Sequence, residues 1–414
     1  VLDRGRPLDL ALAENRSFGG LDDRDRGFAR HLATTVLRRR GEIDRLIADR
    51  LERPLANKHA MVGAILRMGV AQLRFLDVPD YAAIDTSVSL ARRRTPARMA
   101  SLINAVLRRL TRERPPALEP AAAARINTPD WLWRSWVDAY GEPTAAAVAA
   151  AHLSEPPLDL SVRNDAAEWA ARLGGDALPT GGVRISRAGP VDLLSGYAEG
   201  AWWVQDAAAS LPARVLGDVA GKTVIDLCAA PGGKTAQLAA AGARVIAVDV
   251  DRRRMDRLRE NMDRLGLTGR VETVVADATA WQPDRPADAV LLDAPCTATG
   301  TIRRHPDIAW LKRADDVTAM AAIQDRLLDA AFAMVRPGGP VVFCTCSLQA
   351  EEGPARIAAA LERERSTKLD PIAGAGGLIP ESFVADGALR TLPCHWAERG
   401  GIDGFFAARL HRPA

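Results

Sequence analysis

Apolar residues recur at three- and four-residue spacing through the first quarter of the chain: Leu32 and Val36; Ile43, Leu46 and Ile47; Ile65, Leu66 and Met68; Leu102, Ile103, Val106, Leu107 and Leu110. That period matches one face of an α-helix, so residues 1 to about 115 are expected to form a helical bundle. Asp77-Val78-Pro79-Asp80 interrupts the pattern, and a new helix is expected from near Ala82, because proline cannot continue a helix interior. The prolines from Pro115 to Pro120 mark a linker. Asn127-Thr128-Pro129-Asp130 then opens a helix to Tyr140, with Thr128 or Asp130 as its cap and Trp131, Trp133 and Trp136 partly on one side, as core.

The period then shortens to two. Leu158–Arg163 alternates like a strand and Val183–Ile185 reads as another. From about residue 204 strands and helices take turns: Val224–Leu227, a helix, Ala243–Val248, a helix from Arg252 to Leu265, Val271–Val275, Ala289–Leu292, a long helix near Asp315–Met334, and Pro340–Cys344. Such alternation predicts a mostly parallel sheet covered by helices, whose ligands sit beyond the carboxyl ends of the strands. The expectation is a multidomain chain: an all-α bundle over 1–120, a small α/β module over 126–203, and a Rossmann-like α/β domain over 204–414.

Composition narrows the class. At 414 residues with 48% hydrophobic positions, the chain has enough apolar material for two or three cores. No apolar run reaches membrane-spanning length and no targeting peptide is recognised at its start, so neither membrane association nor export is expected. The cysteines Cys228, Cys296, Cys344, Cys346 and Cys394 are odd in number, and four fall at predicted strand ends and loops, which suits a reducing cytoplasm and chemical use better than disulfides. Cys344 and Cys394 are read as structural, and no metal site is expected, because Cys344-x-Cys346 is tighter than a zinc pair and no histidine pair accompanies it. Net charge is +3, but residues 1–114 hold 23 Lys and Arg against 14 Asp and Glu. Clusters at Arg38–Arg40, Arg92–Arg94 and Arg108-Arg109 suit nucleic-acid phosphates, with solvated helix faces as the alternative.

The candidate chemistry gathers at the strand ends. Val224-Ile-Asp-Leu-Cys-Ala-Ala-Pro-Gly-Gly-Lys-Thr235 runs from a strand through a glycine corner into a helix. The corner Cys228, Ala229, Ala230, Pro231, Gly232, Gly233 and Lys234 offers backbone amides to a polar ligand. It lacks the first glycine of a P-loop, Cys228 standing there, and has no G-x-G-x-x-G. Asp226, Asp249, Asp277 and Asp293 close four consecutive strands. Asp249 is placed to accept from ribose hydroxyls and Asp277 to meet an adenine edge; any single acid of the four is also a plausible helix cap.

Several segments carry a resemblance. Asp22–Arg26, Leu73–Pro79 and Ile103–Arg109 look like the RNA-binding domain of the NusB family. Cys228–Thr235, Asp293-Ala294-Pro295-Cys296 with Thr297–Gly300, Arg303-Arg304-His305-Pro306-Asp307 and Thr345-Cys346-Ser347 resemble the RsmB family, S-adenosylmethionine-dependent cytosine-5 methyltransferases of bacterial 16S ribosomal RNA that carry a NusB-like domain. The resemblance covers nearly the whole chain and implies S-adenosyl-L-methionine as cofactor, 16S ribosomal RNA as substrate, and Cys346 as a nucleophile that adds to carbon 6 of cytosine. It assigns release of the methylated product to Cys296, and ring and cofactor contacts to Asp293; DNA enzymes use the Pro-Cys thiol to attack, so the reversed assignment stays open.

A free cysteine is only a few per cent thiolate at neutral pH, so the attacking thiol needs an activating neighbour. Lys234 is a candidate for that, or for holding the cofactor's carboxylate. Arg303-Arg304-His305 is expected to hold RNA phosphate, Arg163 and Asn164 to reach RNA, and the target base to be unpaired or extruded. A cytoplasmic monomer follows as the expectation. The competing readings are a non-catalytic RNA-binding or antitermination-type factor, a methyltransferase acting on an exocyclic amine, which lacks its Pro-Pro-aromatic loop here, and a P-loop ATPase.

Overall fold

The structure, a computed structural model, describes residues 1–186, 188–372 and 377–412. It divides into two compact units, Val1–Ser154 with Ile302–Arg313, and Glu155–Thr301 with Ala314–Ala414.

Helices dominate the first unit. Asp23–Arg38, Arg40–Ala48, Ala60–Phe75, Asp80–Arg94 and Ala97–Glu113 turn Ile43, Ile65, Leu66, Ile103 and Leu107 into a core from which water is excluded. The helix expected near Ala82 starts at Asp80, directly after Pro79. Gly69 permits the close helix approach, since a Cβ there would lie 2.7 Å from Leu107 Cδ1.

The proline stretch does not separate two bodies. Pro120–Ile126, Asp130–Tyr140 and Glu142–Ala151 all belong to this helical unit, so the compact boundary falls after Ser154 instead of near 120. The reason is a polar stitch: the Asn127 amide donates to Glu42 Oε2 at 2.6 Å, and the Glu42 backbone N–H returns a bond to Asn127 Oδ1 at 3.2 Å. Neither Thr128 nor Asp130 caps the Asp130–Tyr140 helix. Thr128 donates back to the Ala124 carbonyl and Asp130 pairs with Arg125. Trp136 is core, while Trp131 and Trp133 are half-buried.

The second unit contains two sheets. In the smaller, β1 (Leu158–Val162), β2 (Asp176–Ala177), β3 (Gly182–Ile185) and β4 (Trp202–Val204) run antiparallel in the order β2-β3-β1-β4. Arg184 on β3 grips Asp159 on β1 through two bonds of 2.7 Å and also donates to the Gly401 carbonyl, which fastens this sheet to the rest of the unit. The small sheet and the larger one therefore share a compact unit, where separate modules were expected on either side of residue 203.

The larger sheet follows the predicted alternation. Parallel strands β5 (Thr223–Leu227), β6 (Arg244–Asp249), β7 (Val271–Val275), β8 (Ala289–Asp293) and β9 (Pro340–Thr345) stand in the order β7-β6-β5-β8-β9. The chain runs outward from β5 to one side and then restarts on the other, so a crevice opens at the carboxyl end of β5 and β8. Beyond β9 lie antiparallel strands absent from the sequence reading: β10 (Lys368–Asp370), β11 (Val384–Ala385), β12 (Ala388–Thr391) and β13 (Phe405–His411), with β13 against β9. This is a Rossmann-like fold with a mostly parallel sheet.

Candidate functional site

The glycine corner lies where the switch in strand order predicts. β5 ends at Leu227 and the helix Gly233–Ala240 begins six residues later. Of the two glycines only Gly232 needs its freedom for the backbone: its φ is +101°, and a Cβ would press on Leu258 Cγ at 2.9 Å. A Cβ on Gly233 would meet nothing closer than Gln205, at 3.6 Å. The protein's own packing therefore leaves room beside Gly233, as a ligand-approaching loop requires.

Each strand-end acid has a defined partner. Asp249, 3% exposed, accepts from the Ala230 amide at 3.1 Å and from the Asp251 amide at 2.9 Å, bracing the corner. Asp226 is fully buried and accepts from Thr235 Oγ1 at 2.6 Å, while its Oδ1 has no partner among the described residues. Burial pushes the Asp226 carboxyl up to about 7. Asp277 is exposed and accepts from the Thr279 amide and hydroxyl, holding its own turn. The loop amides, Asp249 behind them and the exposed Asp277 are groups that could hold a cofactor with an amine, a ribose diol and a base, and Gly233 leaves an uncovered approach.

Asp293, at the end of β8, is held from two sides. Lys234 Nζ donates to its Oδ2 at 2.8 Å, and Cys344 Sγ, on the neighbouring strand β9, donates to its Oδ1 at 3.4 Å. Lys234 lies 5.1 Å over the Phe405 ring. Burial opposes its charge, but the Asp293 carboxylate beside it outweighs that and raises its pKa, so Lys234 stays an ammonium. Between the two roles open from sequence, the geometry puts this cation among the acid and the thiols.

The two motif cysteines meet. Cys296 Sγ and Cys346 Sγ are 3.5 Å apart, both half-buried and both free thiols. The hydrogen bond to Cys346, then burial, raises the Cys296 pKa; burial, then Asp293, does the same to Cys344. Both are thereby kept as neutral thiols. Cys228, in the corner with φ of +60°, is likewise held protonated by burial and the surrounding acids. Among the described residues no group of three or more His, Cys, Asp or Glu is placed to hold a metal.

Comparison with known proteins decides the family. The chain is 38% identical to the ribosomal RNA small subunit methyltransferase B of Xanthomonas campestris, over 99% of this chain and 94% of that protein. It is 35% identical to the same-named protein of Vibrio cholerae, over 94% of this chain and 93% of the relative. The chain belongs to the 16S rRNA methyltransferase RsmB/F family.

That family's description matches residues 213–411, and the NusB family matches residues 1–112. Its fold agrees with the solved structure of PH0851, with a TM-score of 0.76 at 26% identity, over 92% of this chain and 89% of that one. RsmB/F membership makes the protein an rRNA methyltransferase, and the recognised motifs map onto the crevice: the glycine corner, Asp293, Cys296 and Cys346 converge in the second unit.

One set of expected contacts needs correction. Arg303 does not present its guanidinium for RNA phosphate: it is 1% exposed, packed in the helical unit, where Arg38 donates to its carbonyl at 3.0 Å. Arg304 is half-buried and His305 faces Asp9 at 3.5 Å. Arg38 is itself 8% exposed, and Arg40 stacks 4.6 Å over Trp310, so the Arg38–Arg40 cluster is largely turned inward. Arg92, Arg93 and Arg94 remain exposed in the last turn of their helix.

Sequence reasoning also missed Glu352 and Gln324, both at 0% exposure beneath the two cysteine loops. Glu352 was masked by an acidic, turn-like run; Gln324 had a readable signal, a lone polar residue between Ala321, Leu327 and Leu328 on a buried helix face.

Proposed function

We propose that this protein methylates carbon 5 of a cytosine in 16S ribosomal RNA, in the bacterial cytoplasm and as a monomer, through a covalent adduct between Cys346 and carbon 6 of the ring. The observation carrying this reading is the pair of free thiols 3.5 Å apart on adjacent strand ends, beside an Asp293 carboxylate anchored by Lys234.

Carbon 5 of cytosine is a poor nucleophile, and addition of a thiolate to carbon 6 makes it enamine-like. Cys346 supplies that sulfur, and Lys234 supplies the positive field toward it. The Asp293 carboxylate, paired with Lys234, offers acceptors to the amino group of cytosine. The Cys228–Lys234 corner would hold S-adenosyl-L-methionine, with Asp249 for its ribose and Asp277 for its adenine, and the bound cofactor would supply an electrophilic methyl to carbon 5. Loss of the carbon 5 proton and of the Cys346–carbon 6 bond then restores the aromatic ring and the thiolate. Cys296, in contact with Cys346, serves this release: its sulfur, as thiolate, takes the carbon 5 proton, and the raised pKa that Cys346 and burial give it makes that thiolate a strong base. The basic helical unit contributes RNA affinity through exposed arginines such as Arg92–Arg94, on the matched NusB segment.

Mass-mapped methylation of 16S RNA with wild type, Cys346→Ala and Cys296→Ala tests the reading. Cys346→Ala is expected to give neither product nor adduct, and Cys296→Ala a denaturation-stable protein–RNA adduct. Trapping by Cys346→Ala instead would reverse the two roles, and product from both variants would refute the covalent route.

A further inference from the structure

Beneath the two thiols lies a polar cluster that the chemistry above leaves unused. Glu352, wholly buried, receives four donors: the Thr297 amide at 2.8 Å and Gln324 Nε2 at 3.1 Å on Oε1, and the Ser347 hydroxyl at 2.6 Å and the Thr297 hydroxyl on Oε2. Thr297 follows Cys296 and Ser347 follows Cys346. Gln324 also donates to the carbonyl of Pro295, which precedes Cys296, at 2.9 Å. The Thr299 hydroxyl lies 3.3 Å from Ser347 Oγ and accepts from the Leu348 amide at 2.9 Å, crossing between the same two loops.

We infer that Glu352 is a positioning residue: its carboxylate ties the Cys296 loop to the Cys346 loop and so sets the distance between the two thiols. The inference rests on the thiol chemistry proposed above and adds the group that keeps it in register. An ionised carboxylate offers about four acceptor sites, and here each oxygen has two donors, so Glu352 has no capacity left to act as a base. Three of those donors come from the residues next to the cysteines, and one of them is a backbone N–H that cannot turn to another acceptor. The charge also acts on Cys296: behind the hydrogen bond to Cys346, burial and the charge of Cys346, Glu352 adds to the pressure that keeps this thiol protonated.

The test uses the full-length chain and two readouts. Diamide accepts two electrons and two protons as two thiols close to a disulfide, so the rate of Cys296–Cys346 closure, mapped by mass, reports sulfur proximity whether or not the enzyme turns over. Glu352→Leu removes every acceptor at similar volume and should slow closure and lower kcat by at least about tenfold, with KM for RNA changed less than about twofold. Glu352→Gln, which keeps one acceptor, should fall between Leu and wild type, and Glu351→Gln, on an exposed neighbour, should match wild type. Closure in Glu352→Leu at the wild-type rate overturns the inference, even if kcat falls. Should that variant not fold, Thr297→Val and Ser347→Ala take its place, and unaltered closure in both has the same force. A wild type inactive on cytosine would defeat the proposed function while leaving the closure readout intact.

Discussion

Lys234 Nζ stands 2.8 Å from Asp293 Oδ2, joining the helix that follows the glycine corner to the strand end that carries the Pro-Cys loop. Lys234 is nearly buried and Asp293 one-third exposed on its side chain, so the pair sits at the floor of the crevice. Removing one partner of such a pair leaves a desolvated charge, which costs more than the pair contributes. Lys234→Met should therefore cut kcat by about a hundredfold or more, while circular dichroism shows the fold retained. The raised lysine pKa places loss of the pair above the ordinary lysine range: its contribution is complete below that range and disappears only as pH rises through the elevated value. Any alkaline limb of the pH–rate profile below the ordinary lysine range should accordingly be unchanged in Phe405→Leu, which removes the ring beneath the ammonium. A limb that moves by a unit would assign it to Lys234.

The two corner glycines should separate stability from ligand binding. Gly232→Ala forces a side chain into a left-handed backbone and against Leu258, a strain of about 1–3 kcal/mol, and should lower the thermal midpoint. Gly233→Ala adds a methyl with only Gln205 in reach, so its midpoint without cofactor should match wild type while titration calorimetry shows weaker S-adenosylmethionine binding. Equal affinities for Gly233→Ala and wild type would remove Gly233 from the cofactor site.

His152 gives the helical unit an acid-sensitive point. It is buried against Trp136, its Nε2 lacks a partner among the described residues, and burial, then the guanidinium groups of Arg303 and Arg38, push its pKa down to about 3. The unfolded imidazole titrates near 6.5, so this neutral site contributes fully above that value and loses roughly 1.4 kcal/mol per pH unit as pH falls toward 3. His152→Phe should flatten the fall in urea midpoint between pH 6.5 and 4. Parallel profiles for the two proteins would show that His152 does not govern that fall.

Asp159 and Arg184 form a bidentate pair at 1% and 2% side-chain exposure. Asp159→Asn leaves a buried guanidinium short of its anion and should cost about 3–5 kcal/mol in chemical denaturation. A loss under about 1 kcal/mol would show that the Gly401 and Arg399 carbonyls satisfy Arg184 by themselves.

Periodicity carried the helices of residues 1–115 and the five parallel strands, because a buried face imposes a repeat on local sequence that no other packing would require. Strand-end placement followed from the fold class, and so did the convergence of Asp249, Asp293 and the motif cysteines. Strands β10–β13 were not legible: β13 is held by pairing with β9, some sixty residues earlier in the chain, and its Phe405-Phe406-Ala407-Ala408 run has no alternation to announce a strand. The arginine clusters look alike as text, yet Arg303 is enclosed by helical packing and Arg92–Arg94 face solvent. Glu352, acidic and flanked by glycine, has the composition of a surface turn; only the meeting of the 297 and 347 loops over it supplies the donors that let a carboxylate lie fully buried. Local order is written in the spacing of residues, whereas the burial of a charge depends on partners that the chain brings from elsewhere.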